Sequence, residues 1–182
     1  MKKLTTITLL FITFVSYSQE NTEYRKSHEL KVNAFSTLIF KSIDVSYEHL
    51  INGESSVGIS FLANLNDEYN DGPNYNETIA ITPYYRHFFS SRYAWGFFME
   101  SFGMFNIQES DNYDYNDIGS SYSSNEKTRN FALGIALGGK FVSQRGFIFE
   151  FYGGVGRNLF TSDSRSNTEF VPRLGTSFGY RF

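Results

Sequence analysis

The types and spacing of the residues that could do chemistry limit what the chain can be asked to perform. A serine hydrolase needs a serine activated by a histidine with a carboxylate behind it. The chain carries three histidines, His28, His49 and His87. In the strand arrangement that the alternation of the chain implies, His49 and His87 fall near the same ends of their strands and on the outward faces. There they read as interface side chains, and no catalytic residue is assigned. Asn112, Asp114 and Asn116 alternate like the ligands of a calcium loop, but the glycine and the terminal bidentate glutamate that such a loop requires are missing from their places. No metal or cofactor is therefore expected. Asn76-Glu77-Thr78 matches a glycosylation sequon, which carries weight only in a host that uses it. What remains is a set of eight charges, Asp44, Glu48, Glu100 and Glu150 against Lys31, Arg86, Lys140 and Arg173. Their meaning depends on which face of which element holds them.

The N-terminus narrows the choice of compartment. Met1-Lys2-Lys3, an apolar run from Leu4 to Val15 and then Ser16-Tyr17-Ser18-Gln19 follow the order of a cleavable secretory signal. The run is too short to cross a bilayer as a helix, which takes about 20 residues. The expectation is a signal peptide over 1–18 and a single domain over 19–182. The chain contains no cysteine, so neither a lipid-modified cysteine nor a disulfide framework is available. The formal charge of -3 falls to -5 when Lys2 and Lys3 leave with the signal, which argues against nucleic acid as a partner. More informative is the pairing of 20 Phe and 13 Tyr with a mean hydropathy of -0.33. A sheet that alternates lipid-facing and lumen-facing side chains has this composition.

Period-two alternation recurs in about eight segments, and helix-period stripes do not appear. Val57, Ile59, Phe61, Ala63 and Leu65 alternate with Gly58, Ser60 and Asn64. Ile43, Val45, Tyr47 and Ile51 alternate with Asp44, Ser46 and Glu48. Phe131, Leu133, Ile135, Leu137 and Phe141 alternate with Ala132, Gly134, Ala136, Gly138 and Lys140. Phe147, Phe149, Phe151 and Val155 alternate with Glu150, Tyr152, Gly154 and Gly156. The other segments are expected near 28–38, 77–89, 95–107 and 169–182, each about long enough for a tilted strand to cross a bilayer.

The connections alternate in length. Asn52-Gly53, Ser90-Ser91-Arg92 and Ser143-Gln144-Arg145-Gly146 are short. The stretches 66–76, 109–128 and 161–167 are longer and polar, whereas the link near Phe40-Lys41 is short where a long one is expected. Short periplasmic turns alternating with long external loops are the habit of outer-membrane barrels. The tyrosines Tyr69, Tyr75, Tyr113, Tyr115 and Tyr122 in these loops suit either a solvated loop or a recognition surface.

The last segment places Leu174, Phe178, Tyr180 and Phe182 on one face and Arg173, Gly175, Ser177, Gly179 and Arg181 on the other. Phe178, Tyr180 and Phe182 resemble the C-terminal signal by which outer-membrane barrels are recognised for assembly. Together with Ile43-Asp44-Val45-Ser46-Tyr47-Glu48, Ile81-Thr82-Pro83-Tyr84-Tyr85-Arg86, the Gly134 to Gly139 segment and Gly175 to Phe182, they make the chain resemble the small outer-membrane barrel proteins common in Bacteroidota. The resemblance implies an OmpA- or OmpX-like barrel and carries over no activity.

The expected fold is thus an all-β, eight-stranded, antiparallel up-and-down transmembrane β-barrel in a bacterial outer membrane. Its partners would be membrane lipid, lipopolysaccharide and the barrel-assembly machinery, and it would be a monomer. Hydrocarbon leaves no backbone amide unpaired, so closure is required. An aromatic girdle is expected from Tyr85, Trp95, Phe97, Phe141, Phe147, Phe178, Tyr180 and Phe182. At eight strands the lumen is just wide enough to be filled by side chains, so Lys31, Asp44, Glu48, Arg86, Glu100, Lys140, Glu150 and Arg173 are expected to pair into a plug. A narrow conduit is the sharper alternative, and balanced signs fit it less well. An enzyme acting on lipid or lipopolysaccharide is the other class, and it would need a serine and a carboxylate in reach of a histidine at one bilayer interface.

Overall fold

The computed structural model describes residues 26–65, 77–115, 121–162 and 169–182. The expected signal peptide, the 66–76 connection with Tyr69, Tyr75 and Asn76, and residues 116–120 and 163–168 lie outside the described residues. Eight strands run in chain order: β1 (His28–Asn33), β2 (Ser42–Leu50), β3 (Ser55–Asn64), β4 (Glu77–Phe88), β5 (Gly96–Tyr115), β6 (Ser121–Val142), β7 (Phe147–Thr161) and β8 (Phe170–Arg181). Each pairs antiparallel with its sequence neighbour, and β1 pairs with β8 through registers such as Glu29↔Arg181 and Val32↔Phe178. The sheet is a closed barrel, which leaves no edge along its wall.

The pleat sends alternate side chains to opposite faces, and burial follows it. Along β6, Leu133, Ile135 and Leu137 are 49%, 58% and 47% exposed, while Ala132, Ala136 and Lys140 are at most 1% exposed. The same inversion holds on β2, where Ile43 and Tyr47 face out and Asp44 and Glu48 face in, and on β8, where Leu174 and Phe178 face out and Arg173 and Ser177 face in. Outward aromatics gather at the end of the barrel that carries the short turns, and a second group, Phe105, Phe131 and Phe160, lies at the loop end. At the turn end Phe149 lies tilted against Phe178 with ring centres 5.2 Å apart, Phe147 meets Tyr180 edge-on at 5.6 Å, and Trp95 meets Phe141 edge-on at 5.5 Å.

Two boundaries differ from the sequence expectation. The first segment is not a strand over 28–38. It turns at Asn33 into a short helix, α1 (Ala34–Phe40), with the Asn33 side chain accepting from the amides of Phe35 and Ser36 and Lys41 closing the helix in the left-handed region at φ 50°. An asparagine at the helix start satisfies amides that the first turn cannot pair, and this outweighs the β preference of Phe35, Thr37 and Ile39. The short link near Lys41 is this helix. Second, 109–128 is not a long loop: β5 and β6 remain in register as far as Tyr115↔Ser121. Asn112 and Asp114 therefore sit in a strand rather than a calcium loop. The neighbouring strands stop sooner, β4 at Glu77↔Gln108 and β7 at Asn130↔Thr161, so the β5–β6 hairpin stands beyond the barrel wall. Sorting of connections by length survives only at 65–76: 162–169 is hardly longer than the 89–95 turn at the other end, and between β5 and β6 the extra length is ladder.

Glycines on the inner face are matched to rings. Gly58, Gly134, Gly138 and Gly175 lie directly across from Tyr84, Phe102, Phe98 and Tyr152. A Cβ on any of them would sit 2.3–2.5 Å from its ring. Ring against bare backbone is a known way to shield strand glycines. At Gly134 the same Cβ would meet the Gly156 backbone at 2.5 Å, so the neighbours cannot yield. Gly134→Ala is expected to cost about 1–3 kcal/mol by overpacking, read as a lower thermal unfolding midpoint. Gly153→Ala, whose added carbon meets only Leu174 at 3.4 Å on the outside, is expected to leave it in place.

Candidate functional site

The alternation that points apolar residues outward delivers the charges to a common interior. Among the sequence-assigned residues, Lys31, Glu48, Arg86, Glu100, Lys140 and Glu150 are all at most 1% exposed. Arg173 and Asp44 are also buried. A charge removed from water costs several kcal/mol unless partners replace the lost hydration, so the arrangement of partners decides whether this interior can exist.

Seven of the eight are joined by direct ion pairs. Glu48 takes Lys31, Lys140 Nζ at 2.6 Å and Arg86 Nη1 at 2.9 Å. It also accepts from Ser56 Oγ at 2.6 Å and, more weakly, from Tyr84 Oη at 3.3 Å. Glu150 accepts from Lys31 Nζ at 3.0 Å and from Arg86 at 2.8 and 3.3 Å. Glu100 bridges Arg86 Nε and Arg173 Nε, each at 2.6 Å. Asp44 is held differently from the expectation of a base partner, by Asn33 Nδ2 at 2.9 Å and Ser36 Oγ at 3.5 Å. The helix missed in the sequence supplies that serine.

Two members of the cluster escaped the sequence assignment. Glu29 is fully buried and accepts from Lys140 Nζ at 2.7 Å and Arg181 Nε at 2.8 Å. Arg181 then donates to the carbonyl oxygens of Tyr93 at 3.2 Å and Ala94 at 2.8 Å, which tuck the 89–95 turn into the barrel mouth. Arg181 lay on the inner face in the sequence pattern, and the parity of Leu30 and Val32 would have placed Glu29 there once β1 was bounded. With both added, the interior holds five acids and five bases among the described residues, and their signs balance.

Rings occupy the space the charges leave. The Arg86 guanidinium lies 4.6 Å from the Tyr84 ring centre and 4.3 Å from that of Phe98, and Lys140 Nζ lies 4.7 Å from Phe88. Arg173 lies over Phe102 and Tyr152, each at 5.2 Å. Such cation–π contacts hold a desolvated cation without consuming a carboxylate. Toward the loop end, a cavity of about 20 Å³ remains among Ser36, Asp44, Ser60, Thr82 and Arg173, room for one or two waters. Each carboxylate of the cluster that carries an ion pair has at least two donors.

The three histidines are elsewhere. His28, His49 and His87 belong to the outer face, across the sheet wall from the lumen serines Ser56 and Ser60. Among the described residues no three His, Asp or Glu side chains are grouped to hold a metal. No family model, curated protein or solved structure matches this chain.

Proposed function

We propose that the chain is an integral outer-membrane β-barrel protein with a structural or surface-interaction role, its lumen plugged by paired charges. One observation carries this reading: around a closed barrel, the outer face is mostly apolar along the middle of the strands while ten charged side chains among the described residues lie buried inside, and the outward charges Arg129 and Arg157 stand toward the loop end. In water that arrangement is inside out, since exposed apolar patches beyond a few hundred Å² mark a surface that meets protein or lipid. In a bilayer it is required, because closure pairs every amide and the apolar face meets hydrocarbon. The secretory layout of residues 1–18 and the Phe178, Tyr180, Phe182 alternation support an outer-membrane address and assembly by the barrel machinery. The resemblance to small Bacteroidota barrels points the same way. A soluble carrier would have the reverse polarity, apolar within and charged without.

The test is solubility and conductance. The folded chain is expected to require detergent or lipid and to show no steady single-channel steps in a planar bilayer, because the cluster closes the lumen. A monomeric, folded protein in plain buffer would overturn the membrane reading. Regular conductance steps would overturn the plug while leaving the membrane reading intact.

A further inference from the structure

His28 and His49 were separate residues in the sequence; the fold makes them a pair. They face each other directly across β1 and β2. Leu50 N donates to Ser27 O beside them, and His28 exchanges both of its backbone hydrogen bonds with Phe182, just past the end of β8. The His28–His49 site is therefore the closely spaced, non-hydrogen-bonded kind, in which facing side chains approach most nearly. The imidazole centres are 4.9 Å apart with the planes tilted by 36°. His28 is half-buried and His49 exposed, so the pair opens to the outside at the turn end of the barrel.

We propose that His28 and His49 form a two-histidine site for a borderline divalent transition-metal ion, copper(II) or zinc. Imidazole nitrogens bind zinc at about 2.0–2.1 Å, and two rings on one tetrahedral ion stand with their centres about 5 Å apart. The observed centre spacing of 4.9 Å matches that value. Tyr47 supplies the orienting contact that metal-binding histidines ordinarily have. Its hydroxyl lies 2.6 Å from His28 Nδ1. When Nδ1–H donates to Tyr47 Oη, the Nε2 lone pair is left for the ion. Two protein ligands leave the remaining positions to water or to a ligand carried in by the metal. The site faces away from the lumen at the turn end of the wall, where the proposed function puts a bilayer interface open to water.

The experiment uses the chain without a histidine tag, folded in detergent micelles, titrated with Cu²⁺ or Zn²⁺ alone. Calorimetry is expected to give one ion per chain, with Cu²⁺ bound more tightly than Zn²⁺ in the usual order of divalent affinities. The copper spectrum by electron paramagnetic resonance should carry nitrogen couplings from two imidazoles. His28→Asn and His49→Asn should each weaken binding by about tenfold or more, and Tyr47→Phe by about tenfold, the scale of a lost orienting partner. His87→Asn should change nothing. The proposal is overturned if the native chain binds neither ion in large excess, or if the double variant His28→Asn/His49→Asn, still folded by circular dichroism, binds as the native chain does. Both positions are on the outer surface, so loss of fold is a separate and visible result.

Discussion

Replacing Arg86 by Met is expected to lower the folding stability of the barrel by about 3–5 kcal/mol, the cost of removing one partner from a buried charge cluster. Arg86 serves Glu48, Glu100 and Glu150 at 2.6–2.9 Å, so no other single side chain in the interior neutralises as many carboxylates through a guanidinium. Met fills much of the same space, which separates the electrostatic loss from a packing loss. The sign balance then becomes negative by one. Adding Glu150→Gln restores the balance and should recover part of the loss, since neighbouring members of one network couple by about 0.5–3 kcal/mol. Urea unfolding in detergent followed by the fluorescence of Trp95, the single tryptophan, measures both. A loss below about 1 kcal/mol, the range of solvent-exposed ion pairs, would show that water reaches the cluster and that it is not a plug.

Ile135→Arg tests the other face. Ile135 is 58% exposed midway along the barrel portion of β6, paired with Ser101 and Val155. In a bilayer an arginine at mid-depth on the lipid face costs about 2–4 kcal/mol, falling toward zero at the interfaces. On a soluble barrel the same substitution at an exposed site stays within about 0.5 kcal/mol. Stability of the folded chain in lipid vesicles, compared for Ile135→Arg and for an arginine at Phe147 near the turn end, is expected to show the larger loss at Ile135. Equal and small losses at both depths would remove hydrocarbon from the account of this surface.

The parts of the fold that were legible in the sequence are those with strong binary contrast. β3, β6 and β7 alternate large apolar residues with Gly, Ser, Ala or a charge, so period and face can be read directly. The lumen assignments followed from the same parity, and Lys31, Glu48, Arg86, Glu100, Lys140, Glu150 and Arg173 are indeed brought together. Contrast fails where both faces have one character. Beyond Gln108 the β5–β6 hairpin is polar on either side, and its Asp, Asn and Ser residues read as a loop although the ladder continues. In the stretch Ala34 to Phe40 the residues are mostly apolar, and only Asn33 marked the change to helix. Glu29 was lost with the boundary of β1. The histidine pair could not be seen at all, because register between strands is set by the turns and the bulge-free pairing of β1 with β2, not by any local spacing.

The charged interior draws on the entire wall. Its members come from β1, β2, β4, β5, β6, β7 and β8, while β3 contributes Ser56 to Glu48 and Ser60, 3.5 Å from Arg173. Glu29 from the first strand is neutralised by Lys140 from the sixth and Arg181 from the last. A half-formed sheet therefore strands carboxylates and ammonium groups with too few counter-ions, and no intermediate curl of the ribbon is comfortable. Shutting the seam between first and last strands completes the neutralisation in one step, so the cluster acts as a latch that disfavours partly closed cylinders.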